Sequence, residues 1–186
     1  MRVITFLIIL FVSQQLPAPP IHLPDNYEAI TEMIVQVQKK QELNKFLDAI
    51  GISESAGKYT IWNKYGYIGK YQFGASARKS TGFKHIKFRN FIKNPAIWTP
   101  EQQEEAMIKL MEKNEAHLQS IINDVESGKL VILAKGKVVT KSGLLGGAHL
   151  AGFAGVMRYV KTGRNPKDAY GTSLEDYLIK FSGYKI

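Results

Sequence analysis

The sequence predicts an α+β fold, mainly α-helical with one small β-hairpin. Capped segments with apolar residues at helical spacing recur along the chain, while period-two alternation is confined to the stretch from Lys129 to Thr140. A length of 186 residues, 45% of them hydrophobic, suits one substantial core and is short for two. The chain therefore divides into residues 1–24, an export segment with a proline-rich linker, and a single domain over residues 25–186.

The elements follow in chain order. Met1-Arg2 supplies a positive end and Val3 to Val12 an apolar run of ten residues, which Ser13-Gln14-Gln15 and the prolines from Pro17 to Pro20 terminate. That pattern is a signal peptide or, if uncut, an export anchor, because no small-x-small triplet precedes the prolines and ten apolar residues fall short of a bilayer. Asp25 caps a helix through Gln38, with Ile30, Met33, Ile34 and Val37 at i, i+3, i+4, i+7 spacing, and a second helix covers Gln41 to Ile50. Thr99-Pro100-Glu101-Gln102 is a capping box with proline at the first helical position. The helix it starts carries Met107, Leu110, Met111, Leu118, Ile121, Ile122 and Val125 inward and ends near Gly128. Lys135-Gly136-Lys137 turns a hairpin between β-branched flanks. Thr140 to Gly143 offers caps for a helix over Leu144 to Gly152, whose glycines are tolerable only where another helix or a ligand approaches closely. Thr172-Ser173-Leu174-Glu175 is a further capping box, opening a helix that packs Leu174, Tyr177, Leu178 and Phe181.

Composition excludes several classes of chemistry. With no cysteine there is no disulfide scaffold, thiolate nucleophile or Cys-based zinc site. His22, His85, His117 and His149 are too scattered to form a ligand pair, so neither metal nor cofactor is expected. The formal charge of +9, or +8 without Arg2, attracts a polyanion: nucleic acid, anionic lipid or the acidic bacterial wall. Export selects the wall and leaves room for peripheral association with the membrane or the envelope machinery. The basic run from Lys84 to Lys93, which interleaves Phe88 and Phe91 with cations, has the form of a nucleic-acid contact. It is equally the form of a short amphipathic element with solvated charges, the reading preferred for an exported chain, so no nucleic-acid partner is expected.

Glu54 to Gly74, ESAGKYTIWNKYGYIGKYQFG, is the stretch with a chemical signature. No Asp or Glu occurs over residues 55–100, 46 residues that hold nine Lys or Arg. Glu54 is thus a lone carboxylate after a helical run, among Tyr59, Trp62, Tyr65, Tyr67, Tyr71 and Phe73. Partial desolvation keeps a carboxyl protonated long enough to act as an acid. Aromatic faces grip sugar rings.

Three segments, in order, carry a family resemblance: Glu54-Ser55-Ala56-Gly57, Gly69-Lys70-Tyr71-Gln72-Phe73-Gly74 and Ala148-His149-Leu150-Ala151-Gly152. They resemble the E-S-G-G, G-L-M-Q and A-Y-N-A-G motifs of the lysozyme-like lytic transglycosylases, across residues 54–155. The departures are Ala56 for Gly, Lys70-Tyr71 for Leu-Met, and His149-Leu150 for Tyr-Asn. The resemblance implies a monomeric, lysozyme-like domain acting on peptidoglycan glycan strands in the periplasm, envelope or exterior. It also implies that Glu54 protonates the glycosidic oxygen and then deprotonates the sugar's 6-hydroxyl to close a 1,6-anhydro ring. Substrate contacts fall to Ser55, Tyr71, Gln72, Phe73 and His149. Ser55 is otherwise a helix-end cap, Gln72 a satisfied turn residue, Tyr71 a core residue and His149 a packed one. A water-using muramidase, drawing on Asp48, Glu101, Glu104 or Asp168 as second acid, and a non-catalytic wall-binding protein remain open.

Overall fold

Helix propensity runs unbroken from Tyr27 to Ser55, with no Gly or Pro before Gly51, and the chain forms one helix there, α1, of 29 residues. The two helices expected on either side of Lys39-Lys40 are therefore one. The computed structural model describes residues 27–186; the export segment and the Asp25 cap lie outside the described residues. The amphipathic stripe of α1 is not core. Ile30, Met33, Ile34 and Val37 are exposed, and burial begins only with Phe46, Leu47 and Ile50.

The fold is α+β, mainly helical, with a two-stranded antiparallel hairpin. Its frame is the C-terminal half of α1 with α4 (Pro100–Glu126), α5 (Lys141–Thr162) and α6 (Leu174–Lys180). Thr99 caps α4 as expected: its hydroxyl accepts from Gln102 N, and the Gln102 side chain accepts from Thr99 N. Met107, Met111, Leu118 and Ile122 of α4 are buried. The α6 box sits one residue later than the sequence suggests, because Ser173 and Asp176 satisfy each other's backbone amides.

α5 crosses α6 on glycines. A methyl on Gly146 would lie 2.5 Å from Phe181 Cβ, and one on Gly147 2.7 Å from Leu178 Cδ2. Removing side chains there lets two backbones approach, a gain that outweighs the roughly 1 kcal/mol each glycine costs a helix. Gly152 has φ +69°, so α5 runs past the expected end at a kink rather than as one straight rod. The hairpin is β1 (Leu133–Ala134) paired with β2 (Lys137–Val138), turned by Lys135 and Gly136, both at positive φ as a type I′ turn requires.

Residues 56–99 form the second part, a loop-rich lobe with two short α-helices, α2 (Ala75–Ser80) and α3 (Phe88–Phe91), and one 3-10 turn at Pro95–Ile97. Its core is aromatic: Trp98 is met by Phe73, Phe83 and Phe91 with ring centroids 5.4, 5.8 and 6.5 Å away. Arg78, buried at the C-terminal end of α2, donates to the carbonyls of Ile86 and Phe73 and so ties the loops together. The basic run from Lys84 to Lys93 takes the amphipathic form, with Ile86 and Phe91 buried and its charges exposed.

Candidate functional site

The last turn of α1 delivers Glu54 to the floor of a cavity of about 840 Å³ between the loop lobe and the α5–α6 corner. The helix stops just beyond it because Ala56 and Gly57 both take left-handed φ, at +54° and +77°. Glycine makes that conformation without strain, whereas Ala56 carries a Cβ penalty of about 1 kcal/mol.

Two side chains from other elements meet Glu54. Tyr177, from α6, donates its hydroxyl proton to Glu54 Oε1. Burial first, and the Glu54 charge second, push the Tyr177 hydroxyl well above the ordinary phenol range, so it stays a donor. His149, from α5, places Nε2 3.7 Å from the same oxygen and 3.0 Å from the Tyr71 carbonyl. A carbonyl only accepts, so Nε2 carries the proton and donates to Tyr71 O. His149 Nδ1 is buried and has no partner among the described residues. Glu54 itself keeps 16% of its side-chain surface exposed, and its Oε2 has no protein partner among the described residues.

The cavity wall opposite α6 belongs to the loop lobe. Trp62, Tyr65 and Tyr67 line it while staying between 43% and 49% exposed, so part of each ring is open to the cavity and solvent. Tyr170, from the α5–α6 connection, completes the aromatic rim and meets Tyr65 edge to face at 5.4 Å. A second hollow of about 460 Å³ continues past Gln72 and His149 along Phe73, Gly74 and Phe88, so the two form a cleft across one face.

The residues named from the sequence divide into two groups. Glu54, Gln72, Phe73 and His149 line the cleft. Gln72 is also a turn residue: at φ +47° it donates to Gly69 O and accepts from Asn63 Nδ2, both at 2.9 Å, so its amide is already held in place. Ser55 and Tyr71 do not line the cleft. Ser55 is buried and donates to Lys70 O at 2.7 Å, pinning the end of α1 to the loop lobe. Tyr71 is fully buried with its hydroxyl on Glu104 Oε2.

Tyr71 belongs instead to a polar cluster behind the cleft. Lys70 Nζ reaches Asp48 Oδ1 and Glu104 Oε1, each at 2.8 Å, and Tyr59 donates to Glu104 as well. Burial alone would pull the Lys70 ammonium down, but the hydrogen bonds it donates to Asp48 and Glu104 outweigh it and hold it above the usual lysine range. Of the four second-acid candidates, Asp48 and Glu104 are thus committed to Lys70, and Glu101 sits exposed in the first turn of α4. Asp168 does line the cavity, with Oδ1 accepting from Tyr170 N and Thr172 N at 2.8 Å.

Sequence reasoning placed Tyr177 in the core, which its burial satisfies, and gave no hint of its hydroxyl partner 123 positions earlier. Asp176, a further cavity-lining acid, was equally hidden, and its carboxylate is taken up by Lys135 and Ser173. No group of histidines and carboxylates able to hold a metal occurs among the described residues. Searches of protein-family models, curated proteins and solved structures find no match to this chain.

Proposed function

We propose that this chain is a peptidoglycan lytic transglycosylase of lysozyme-like fold, exported to the periplasm, envelope or exterior, that works as a monomer. It cleaves the β-1,4 bond between N-acetylmuramic acid and N-acetylglucosamine. The observation that carries this reading is Glu54: a carboxylate at the floor of an aromatic-rimmed cleft, one oxygen engaged by Tyr177 and the other without a partner among the described residues.

With Oε1 occupied, Oε2 is the atom that carries and delivers the proton. It protonates the glycosidic oxygen as the bond to C1 breaks, and the departing sugar leaves with a free 4-hydroxyl. The 6-hydroxyl of the muramic acid then attacks C1 while Glu54 Oε2 takes its proton. The 1,6-anhydro ring closes, no water is consumed, and the acid is regenerated. Tyr177 and His149 position the carboxylate, and Trp62, Tyr65 and Tyr67 supply faces for the sugar rings.

A second reading, a muramidase that adds water, is favoured by Asp168, which lines the same cavity and whose charge is felt at Tyr177. Mass spectrometry of soluble products from purified peptidoglycan decides between them. Muropeptides lighter by one water are expected, and the Glu54→Gln variant is expected to release them at least about 100-fold more slowly with its fold unchanged. Ordinary reducing ends would turn the assignment to the muramidase. Undiminished cleavage by Glu54→Gln would end both enzymatic readings.

A further inference from the structure

The charge of this molecule is not spread over it. Residues 27–54 and 101–186 together hold fifteen Lys or Arg and fifteen Asp or Glu, so they are formally neutral. All of the excess resides in residues 55–100, with nine cations and no acid. Two of the nine, Lys70 and Arg78, are buried and satisfied inside the protein. The other seven, Lys58, Lys64, Lys79, Lys84, Lys87, Arg89 and Lys93, are exposed, and none forms an ion pair among the described residues.

This cationic segment is also the one that builds the aromatic wall of the cleft. Lys64 Nζ lies 5.2 Å from the Tyr65 ring at the rim. α2 and α3, which carry Lys79 and Arg89, contribute Ala75, Ser76 and Phe88 to the second hollow, and Lys87 immediately precedes α3. The segment that lines the cleft thus also carries seven exposed cations with no ion-pair partner among the described residues.

We propose that the exposed face of residues 55–100 is a docking surface for a carboxylate-rich polymer, the peptide stems borne by the same glycan that occupies the cleft. Six of the seven cations are lysines. Lysine is a hydrated point charge that attracts any anion, whereas planar, paired recognition of phosphate favours arginine. The face thus holds the enzyme to an insoluble acidic mesh by field rather than by fixed contacts, keeping it near its substrate between cuts. The patch itself follows from the charge map, and the identity of its partner rests on the catalytic reading above.

The test uses the full chain carrying Glu54→Gln, so that the mesh is not consumed, and measures co-sedimentation with intact sacculi. Lys84→Glu, Lys87→Glu and Lys93→Glu are combined in one variant. Lys113→Glu, Lys137→Glu and Lys161→Glu, exposed residues of the neutral part, form a control with the same net charge. The first is expected to weaken binding at least about 10-fold at low salt and the control less than about 3-fold, with binding by the parent lost as salt rises from about 50 to 300 mM. Sacculi whose peptide carboxylates have been amidated are expected to release the protein. Equal loss in both variants, salt-independent binding, or full retention on amidated sacculi would overturn the proposal. So would equally tight binding to duplex DNA or to vesicles containing phosphatidylglycerol. Sacculus binding of the expected kind by a chain that yields no glycan products when Glu54 is intact would leave this inference standing and remove the catalytic one.

Discussion

Glu54 and Tyr177 lie 123 positions apart in the chain and share one hydrogen bond, which on the proposed reaction selects the carboxylate oxygen left free for the substrate. On the proposed reaction, Tyr177→Phe removes the donor and leaves the ring packed against Phe181. The expected result is glycan cleavage slowed by roughly 10-fold, mainly in kcat, with the fold retained, as read by steady-state kinetics and circular dichroism. An unchanged kcat would show that the hydroxyl does not position Glu54. The lone carboxylate of residues 54–100 was legible in the sequence, since acids were absent for 46 residues after it. Tyr177 was not, because its spacing from Leu174, Leu178 and Phe181 is that of an ordinary buried helix face, which it also is. Ser55 and Tyr71 show the opposite failure. A motif names neighbours of a catalytic residue, but whether a neighbour faces the cleft or the core depends on its direction at the end of α1 or in the following turn.

At the scale of elements, caps and turns were read best because they are local. Thr99 to Gln102, Lys135-Gly136 and the start of α6 each satisfy their own backbone groups within a few residues. The one-residue shift at α6 has a tertiary cause: Asp176 accepts from Ser173 and also pairs with Lys135 of the hairpin turn, tying two elements at once. The Lys135 ammonium first, and the Ser173 hydroxyl and amide next, hold the Asp176 carboxyl below the ordinary carboxylate range. A carboxyl depressed by folding adds stability above its unfolded value near pH 4, and that stability disappears as pH falls toward the folded value. Asp176→Asn is therefore expected to lower the melting temperature by roughly 2 °C at neutral pH. The gap should narrow as the pH drops below about 4. A constant gap across a pH series of thermal melts would place the effect elsewhere than in the charge. The continuity of α1 was missed although the backbone between the two expected helices contains no Gly or Pro that would stop one.

Over the whole molecule, the first part of α1 stands clear of the body: every residue from Tyr27 to Gln41 is exposed. A chain beginning at Gln41 is expected to melt within about 2 °C of one beginning at Tyr27, since among the described residues only exposed surface is removed and no core contact is lost. A larger loss, measured by calorimetry on both forms, would show that the overhang packs in solution. The same scale separates what the residues decide alone from what the fold decides. The sequence by itself determined the fold class, the hairpin, the long capped helix α4, the absence of thiol chemistry, and the cationic, acid-free segment that follows Glu54. These depend on local backbone chemistry, on periodicity, or on composition, all of which act within a few residues or need no geometry. Only the tertiary structure decided which side chains surround Glu54. It brought Tyr177 and Asp168 to the cavity, sent Asp48 and Glu104 to Lys70, turned Ser55 inward, and left Trp62, Tyr65 and Tyr67 on the rim. Such placements depend on how α1, α5 and α6 cross, and those crossings depend on glycines and volumes meeting across a hundred residues or on hydrogen bonds that no one-dimensional spacing encodes.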